Sequence, residues 1–164
     1  MARYTYDITI IGGGSGGLTA ARLAQALGAR VCLIDKQRLG GDCLHYGCVP
    51  SKSLIHVARV AQLARRAAQV GVAAAEPRPD MPKVTAYVQG VIDRAAQAEQ
   101  VYTAGVDVRF GRFAFLSRHA FTIDDVALTS RSFIIATGSR PAIPPIEGLA
   151  ESGFLTNERA FDLT

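Results

Sequence analysis

The sequence predicts an α/β fold: a parallel sheet with helices packed on it, and an antiparallel β-meander attached. Three observations predict it. Asp7-Ile8-Thr9-Ile10-Ile11 and Arg30-Val31-Cys32-Leu33-Ile34 are short apolar runs rich in β-branched residues, which reads as buried strands. Between them Leu18 to Leu27 has a helical pattern, so the three segments form one strand–helix–strand unit. After Val106 the helical period gives way to short strands, ending in a further buried strand, Ser132 to Ala136.

The turn inside the first unit carries the first chemistry. Gly12, Gly14 and Gly17 stand at G-x-G-x-x-G spacing directly after a strand and at the start of a helix. This predicts a tight turn at Gly12, close approach of a pyrophosphate at Gly14, and close helix-to-strand packing at Gly17, with the helix N-terminus facing the phosphates. Gly28 suits the helix C-cap. Asp35 closes the second strand, 18 positions past Gly17, where an acid accepts ribose hydroxyls. The unit predicts dinucleotide binding without saying which dinucleotide.

Next comes Gly40-Gly41-Asp42-Cys43-Leu44-His45-Tyr46-Gly47-Cys48-Val49-Pro50-Ser51-Lys52, with two of the three cysteines. On an ideal helix, residues five apart rise about 7.5 Å with side chains roughly 140° apart. A disulfide needs Cα atoms within about 7 Å. If the two sulfurs bond, the segment cannot be regular helix throughout, and Gly47 gives it freedom to depart. Pro50 is predicted to mark the start of regular helix. A dithiol loop running into a helix N-terminus favours a reactive thiolate.

Two amphipathic helices follow. Ser51 to Val70 carries Leu54, Val57, Ala58, Ala61, Ala64 and Ala68 on one face, and Gly71 ends it. A proline-dense connector, Glu76 to Pro82, leads to a helix from Pro82 to Thr103 with Val84, Val88, Val91, Ala95, Ala98 and Tyr102 on its buried stripe. Strands are expected at Val106–Phe110, Phe113–Leu116, Ala120–Ile123 and Val126–Leu128, with Asp124-Asp125 as a tight hairpin turn. Thr137-Gly138-Ser139 follows the last strand, and Gly138 permits a close backbone approach. Glu147 to Thr164 reads as an exit linker.

Composition bounds the rest. With 164 residues, 49% hydrophobic and 20% charged, the chain is one globular domain by size. No charge-free run of about 18 apolar residues suggests a membrane span. Met1 to Thr5 passes straight into a strand pattern, leaving no room for a signal peptide, so the expected location is cytoplasmic. The three cysteines do not form a secreted disulfide framework, and Cys32 reads as a buried core thiol. A net charge of +4 from scattered arginines argues against nucleic acid as a partner.

With these pieces in place, the chain resembles the N-terminal part of the flavin-dependent pyridine nucleotide–disulfide oxidoreductases, the family of dihydrolipoamide dehydrogenase, glutathione reductase and mercuric reductase. The resemblance rests on the Gly12–Gly17 fingerprint, the Gly41-x-Cys43-x4-Cys48-Val49-Pro50-Ser51-Lys52 signature, and Ala136-Thr137-Gly138-Ser139 followed by prolines. The cysteine signature is the most specific of these. Its wording is closest to the dihydrolipoamide-dehydrogenase-like and mercuric-reductase-like branch.

The resemblance implies a Rossmann-like FAD-binding domain, incomplete here: residues 1–148 as its N-terminal part and 149–164 as a linker toward an NAD(P)-binding domain outside this chain. Gly12, Gly14, Ser15, Gly16 and Gly17 would hold the FAD pyrophosphate, and Asp35 and Lys36 the adenosine ribose. Arg112 and Phe113 would lie by the adenine; Gly41, Asp42 and Thr137-Gly138-Ser139 would line the cofactor. Cys48 would face the flavin, Cys43 would exchange with substrate, and Lys52 would stabilise the reduced flavin. NADH or NADPH would donate hydride. The substrate would be a small-molecule disulfide, a metal ion or a quinone, and the whole protein a homodimer.

Three positions depart from the family pattern. Asp35 stands where glutamate is common. Asp42 replaces a frequent threonine and sets a carboxylate beside Cys43, which disfavours its thiolate. His45 and Tyr46 fall at variable positions, and His45 reads as a solvated loop residue. Two other readings compete: a nicotinamide-binding dehydrogenase domain with incidental cysteines, and a metal-binding module using Cys43, His45 and Cys48. The second supplies three ligands where a closed tetrahedral zinc site takes four.

Overall fold

The computed structural model describes residues 4–161. Its elements are β1 (Tyr6–Ile11), α1 (Ser15–Ala26), β2 (Val31–Asp35), α2 (Gly41–His45), α3 (Cys48–Arg66), α4 (Met81–Tyr102), β3 (Asp107–Phe110), β4 (Phe113–Phe115), β5 (Ala120–Ile123) and β6 (Val126–Ile135). Six strands form one sheet in the order β3-β2-β1-β6-β5-β4. The first four are parallel, and β6, β5 and β4 are antiparallel neighbours. The α/β class and the meander are as the sequence predicts.

Two expectations about strands are corrected. Val126–Leu128 and Ser132–Ala136, read as separate strands, are one ten-residue strand. The polar residues between them interrupt the apolar pattern but not the backbone. Ser130 is fully buried, and its hydroxyl donates to the Ser132 carbonyl at 2.9 Å, so the sheet tolerates it. The strand changes partner midway: residues 126–129 pair antiparallel with β5, and 130–135 parallel with β1. Likewise Val106–Phe110, grouped by pattern with the meander, is a parallel edge strand on β2, with Cys32 opposite Asp107. Pattern gives a strand's existence and not its partner.

The chain forms two compact units. The first comprises residues 1–43 and 96–140. Its sheet has apolar residues on both faces. Ile10, Val31 and Leu33 pack with Ala21 and Leu18 of α1. On the other face Tyr6, Cys32 and Ile34 pack with Phe121 and Ile123, flanked by Phe113 and Phe133. Cys32 is fully buried as expected, and burial pushes its thiol pKa up to about 12. Asp124, at positive φ, and Asp125 make the predicted turn between Ile123 and Val126.

The second unit comprises residues 44–95 and 141–164. Here α3 starts at Cys48, two residues before Pro50, and passes at Ala67–Val70 into a 3-10 turn closed by Gly71 at φ +80°. Pro50 is therefore the third helical residue, where its missing N–H costs no intrahelical bond. Among the described residues of α4 the buried ones are Val88 and Ile92, and Tyr102 is 54% exposed rather than buried. Phe154 and Phe161 in the segment read as a linker are half-buried. No helix among the described residues is long and apolar enough to cross a membrane.

Candidate functional site

The turn between β1 and α1 is shaped by the contacts of its glycines. Gly12 adopts φ +109°, and a Cβ there would overlap the carbonyl of Ala136 at the end of β6. A Cβ on Gly17 would overlap the Gly12 carbonyl oxygen and stand 3.4 Å from Ile10. Both roles read from spacing, the tight turn and the close helix packing, are what these contacts impose. Gly14 and Gly16 differ. Gly14 has ordinary dihedrals and only a 3.6 Å neighbour for a Cβ, while Gly16 has none within 4 Å. The protein's own packing does not require glycine at either. No side chain caps α1 and its first turn holds no acid. Its N–H groups and positive end thus face a cradle that side chains at residues 14 and 16 would fill, which suits a pyrophosphate.

Beside this turn a cleft of about 510 Å³ opens at the C-terminal ends of β1 and β2. Gly12, Asp35, Lys36, Gly111, Arg112, Phe113 and Thr137 line it together with Ile11 and Ile34. A crevice outside the carboxyl ends of parallel strands is where this architecture binds nucleotides. Six residues expected at the cofactor, Gly12, Asp35, Lys36, Arg112, Phe113 and Thr137, are thus brought together. The Gly111–Phe113 wall is fixed by Asp124, whose carboxylate accepts the Arg112 N–H at 3.0 Å, while the Gly111 N–H donates to the Asp35 carbonyl at 3.0 Å. Gly138 sits at φ +70°, and a Cβ there would meet nothing within 4 Å, so within this chain it serves its backbone conformation rather than a close approach. Ser139 follows it, exposed.

Asp35 does not present a bare carboxylate to the cleft. Its Oδ2 accepts the Gly13 N–H at 2.8 Å, and its Oδ1 accepts the N–H groups of Gln37 and Arg38 at 2.9 and 3.1 Å. The Gly40 N–H in turn donates to the Gly13 carbonyl at 2.8 Å. Spacing alone does not single out Gly13 and Gly40; the Gly40-Gly41 doublet, both at positive φ, is the signal that could have found them. Gly41 backs onto Gly14, where a Cβ would stand 2.8 Å from the Gly14 Cα. The start of α2, with Asp42 exposed in its first turn, therefore abuts the phosphate turn.

The cysteines occupy helices rather than an open loop. Cys43 is half-buried on α2, and Cys48 is the exposed first residue of α3. The expected break in the helix falls at Tyr46-Gly47. His45 is the last residue of α2 and half-buried, not a solvated loop residue. At the start of α3 there is no side-chain cap and no acid in the first turn, and the Ser51 hydroxyl donates to the Cys48 carbonyl at 3.2 Å. Lys52 is exposed four positions beyond Cys48, on the same helix face. Asn157 donates to the Tyr46 carbonyl at 3.4 Å. Among the described residues no three or more His, Cys, Asp or Glu converge as a metal site.

The glycine cradle, the cleft and the acid fit a dinucleotide with an adenosine end. Comparison with known proteins agrees. A family model described as pyridine nucleotide-disulphide oxidoreductase matches residues 6–162. The chain is 36% identical to a dihydrolipoyl dehydrogenase of Bacillus subtilis, over 96% of this chain and 36% of that protein. It is 31% identical to a mercuric reductase of Staphylococcus aureus, over 96% of this chain and 29% of that protein. It is 33% identical to a glutathione reductase of Burkholderia cepacia, over 99% and 36%. The chain thus spans about a third of the length of these curated relatives. The family's enzymes are FAD-dependent, with NAD(P)H as electron donor. The chain belongs to the pyridine nucleotide–disulphide oxidoreductase family.

Proposed function

We propose that the protein carrying this chain is an FAD-dependent NAD(P)H oxidoreductase that reduces a small-molecule substrate through a Cys43–Cys48 disulfide, in the manner of a dihydrolipoamide dehydrogenase or a mercuric reductase. The observation that carries the reading is the seat of Gly41 on Gly14, since it starts the helix bearing Cys43 against the turn that holds the cofactor phosphates. FAD, when bound, supplies two-electron exchange between the nicotinamide and the sulfur pair.

The chain's own residues divide the remaining work. Gly12, Gly14, Ser15, Gly16 and Gly17 present backbone N–H groups and the α1 dipole to the pyrophosphate. Arg112 and Phe113 flank the adenosine end. Cys48 stands exposed at the first position of a 19-residue helix, with Lys52 one turn further along the same face. Against a disulfide substrate the Cys43 thiolate attacks one sulfur and expels the other as a thiolate. The Cys48 thiolate then attacks the Cys43 sulfur of the mixed disulfide, expels the second substrate thiolate and restores the Cys43–Cys48 bond. Two electrons leave the cysteine pair and reduce one substrate disulfide. The reading takes the protein to be cytoplasmic, where NAD(P)H is supplied, and a homodimer like the family pattern it follows.

The test is spectroscopic. The purified protein should be yellow and develop a long-wavelength absorbance band on two-electron reduction. Cys48→Ser should abolish that band, and Cys43→Ser should show it without reductant. A colourless protein that FAD does not reconstitute would sink the proposal and favour a nicotinamide-binding dehydrogenase; identical spectra for both variants would show the two sulfur roles misassigned.

A further inference from the structure

We propose that Asp35 is first a positioning residue, tying the phosphate turn to the start of the helix that carries Cys43, and that it offers the cofactor's ribose a single acceptor site rather than two. The inference rests on FAD occupying the cleft. An ionised carboxylate has about four lone-pair sites, two per oxygen. Both sites on Oδ1 are taken, by the N–H groups of Gln37 and Arg38, and one on Oδ2 is taken by Gly13. Only one site on Oδ2 remains.

The bonds to residues two and three positions ahead form the local turn that an Asp side chain, and not a Glu, is the right length to make. The third bond crosses to the turn after β1. With the Gly40-to-Gly13 hydrogen bond and the Gly41–Gly14 contact, it makes a three-point clasp between residues 13–14 and 35–41. Gly13 itself is held close, since a Cβ there would stand 3.1 Å from the Asp35 carboxylate oxygen. The shorter acid thus exchanges grip on the ribose for rigidity of the loop that leads into α2. Asp35 thus tells the two ribose hydroxyls apart, because it can accept only one of them and is indifferent to loss of the other.

The experiment uses apoprotein of the full protein carrying this chain, titrated by flavin fluorescence with FAD and with its 2′-deoxyadenosine and 3′-deoxyadenosine analogues. A hydrogen bond to a charged carboxylate, once lost, costs roughly tenfold or more in affinity. One analogue at most should lose that much, and the other should bind within about threefold of FAD. Asp35→Asn should lower the melting temperature of the apoprotein by several degrees, because an amide cannot accept all three N–H groups. Asp35→Glu should also destabilise the apoprotein, yet make both deoxy analogues weak. Tenfold losses with both analogues in the wild type, or an unchanged apoprotein melting temperature in Asp35→Asn, would overturn the proposal. Absence of FAD binding altogether would instead refute the functional reading beneath it, and the apoprotein melting arm would still decide the clasp.

Discussion

At Gly16 and Gly17 two adjacent glycines of α1 are kept for opposite reasons. Gly17 has no room: a Cβ would collide with the Gly12 carbonyl, a backbone atom that cannot swing aside. Gly16 has nothing within 4 Å. Gly17→Ala should therefore destabilise the apoprotein by about 3 kcal/mol or more, through overpacking of backbone on backbone. Gly16→Ala should stabilise it by up to about 1 kcal/mol, because alanine is the better helix former, while weakening FAD binding as the methyl enters the phosphate cradle. Urea melts of the two apoproteins and a flavin titration of Gly16→Ala check both signs. Residue types and spacing make these roles legible, since G-x-G-x-x-G after a strand has few physical readings. What Asp35 touches is not legible in the same way. An acid at a strand's end announces a carboxylate but not the three N–H groups that claim it, which depend on how residues 36–41 turn back.

Among the elements, β6 does most to join the parallel sheet to the meander. Phe121 on β5 is fully buried, its ring 5.4 Å from Phe113 and 5.6 Å from Phe133 between centroids, so β4, β5 and β6 share one aromatic cluster. Phe121→Ala should cost about 3–5 kcal/mol. Because the Gly111–Phe113 wall of the cleft hangs on the same cluster, flavin affinity should fall with it; a chemical melt alongside a flavin titration tests the link. Periodicity locates nearly every strand and helix here, yet it splits β6 at Thr129–Arg131 and groups β3 with the wrong neighbours. Both errors have one cause. A buried serine satisfied by its own strand, or an edge strand whose partner lies 75 positions away, leaves no mark in a local pattern of apolar residues.

Over the molecule as a whole, the N-terminal strands are tied together by charge as well as by the sheet. The Arg30 guanidinium and backbone N–H donate to the Asp7 carboxylate, and Arg30 also reaches the carbonyls of Tyr4 and Thr5. These hydrogen bonds lower the Asp7 pKa from 3.8 to about 2. A carboxyl depressed in the folded state stabilises it above the ordinary value and ceases to do so as pH falls through the depressed one. Stability should therefore drop between about pH 4 and pH 2 more steeply in the wild type than in Asp7→Asn, the two curves converging at the acid end; denaturant midpoints against pH would show it. The sheet itself imposes an order in time. Ile11 lies beside Ile135, and the Gly12 turn is wedged under Ala136, so the first strand of the chain takes its central partner from residues about 125 positions later. Such a long loop closes slowly. On the ribosome, β1 must wait with one edge unpaired until the end of β6 has emerged, and the phosphate turn cannot assume its shape before then. Flavin capture cannot in this sense precede the end of β6, and the waiting edge is the point at which a chaperone, or a misplaced strand, has its longest opportunity.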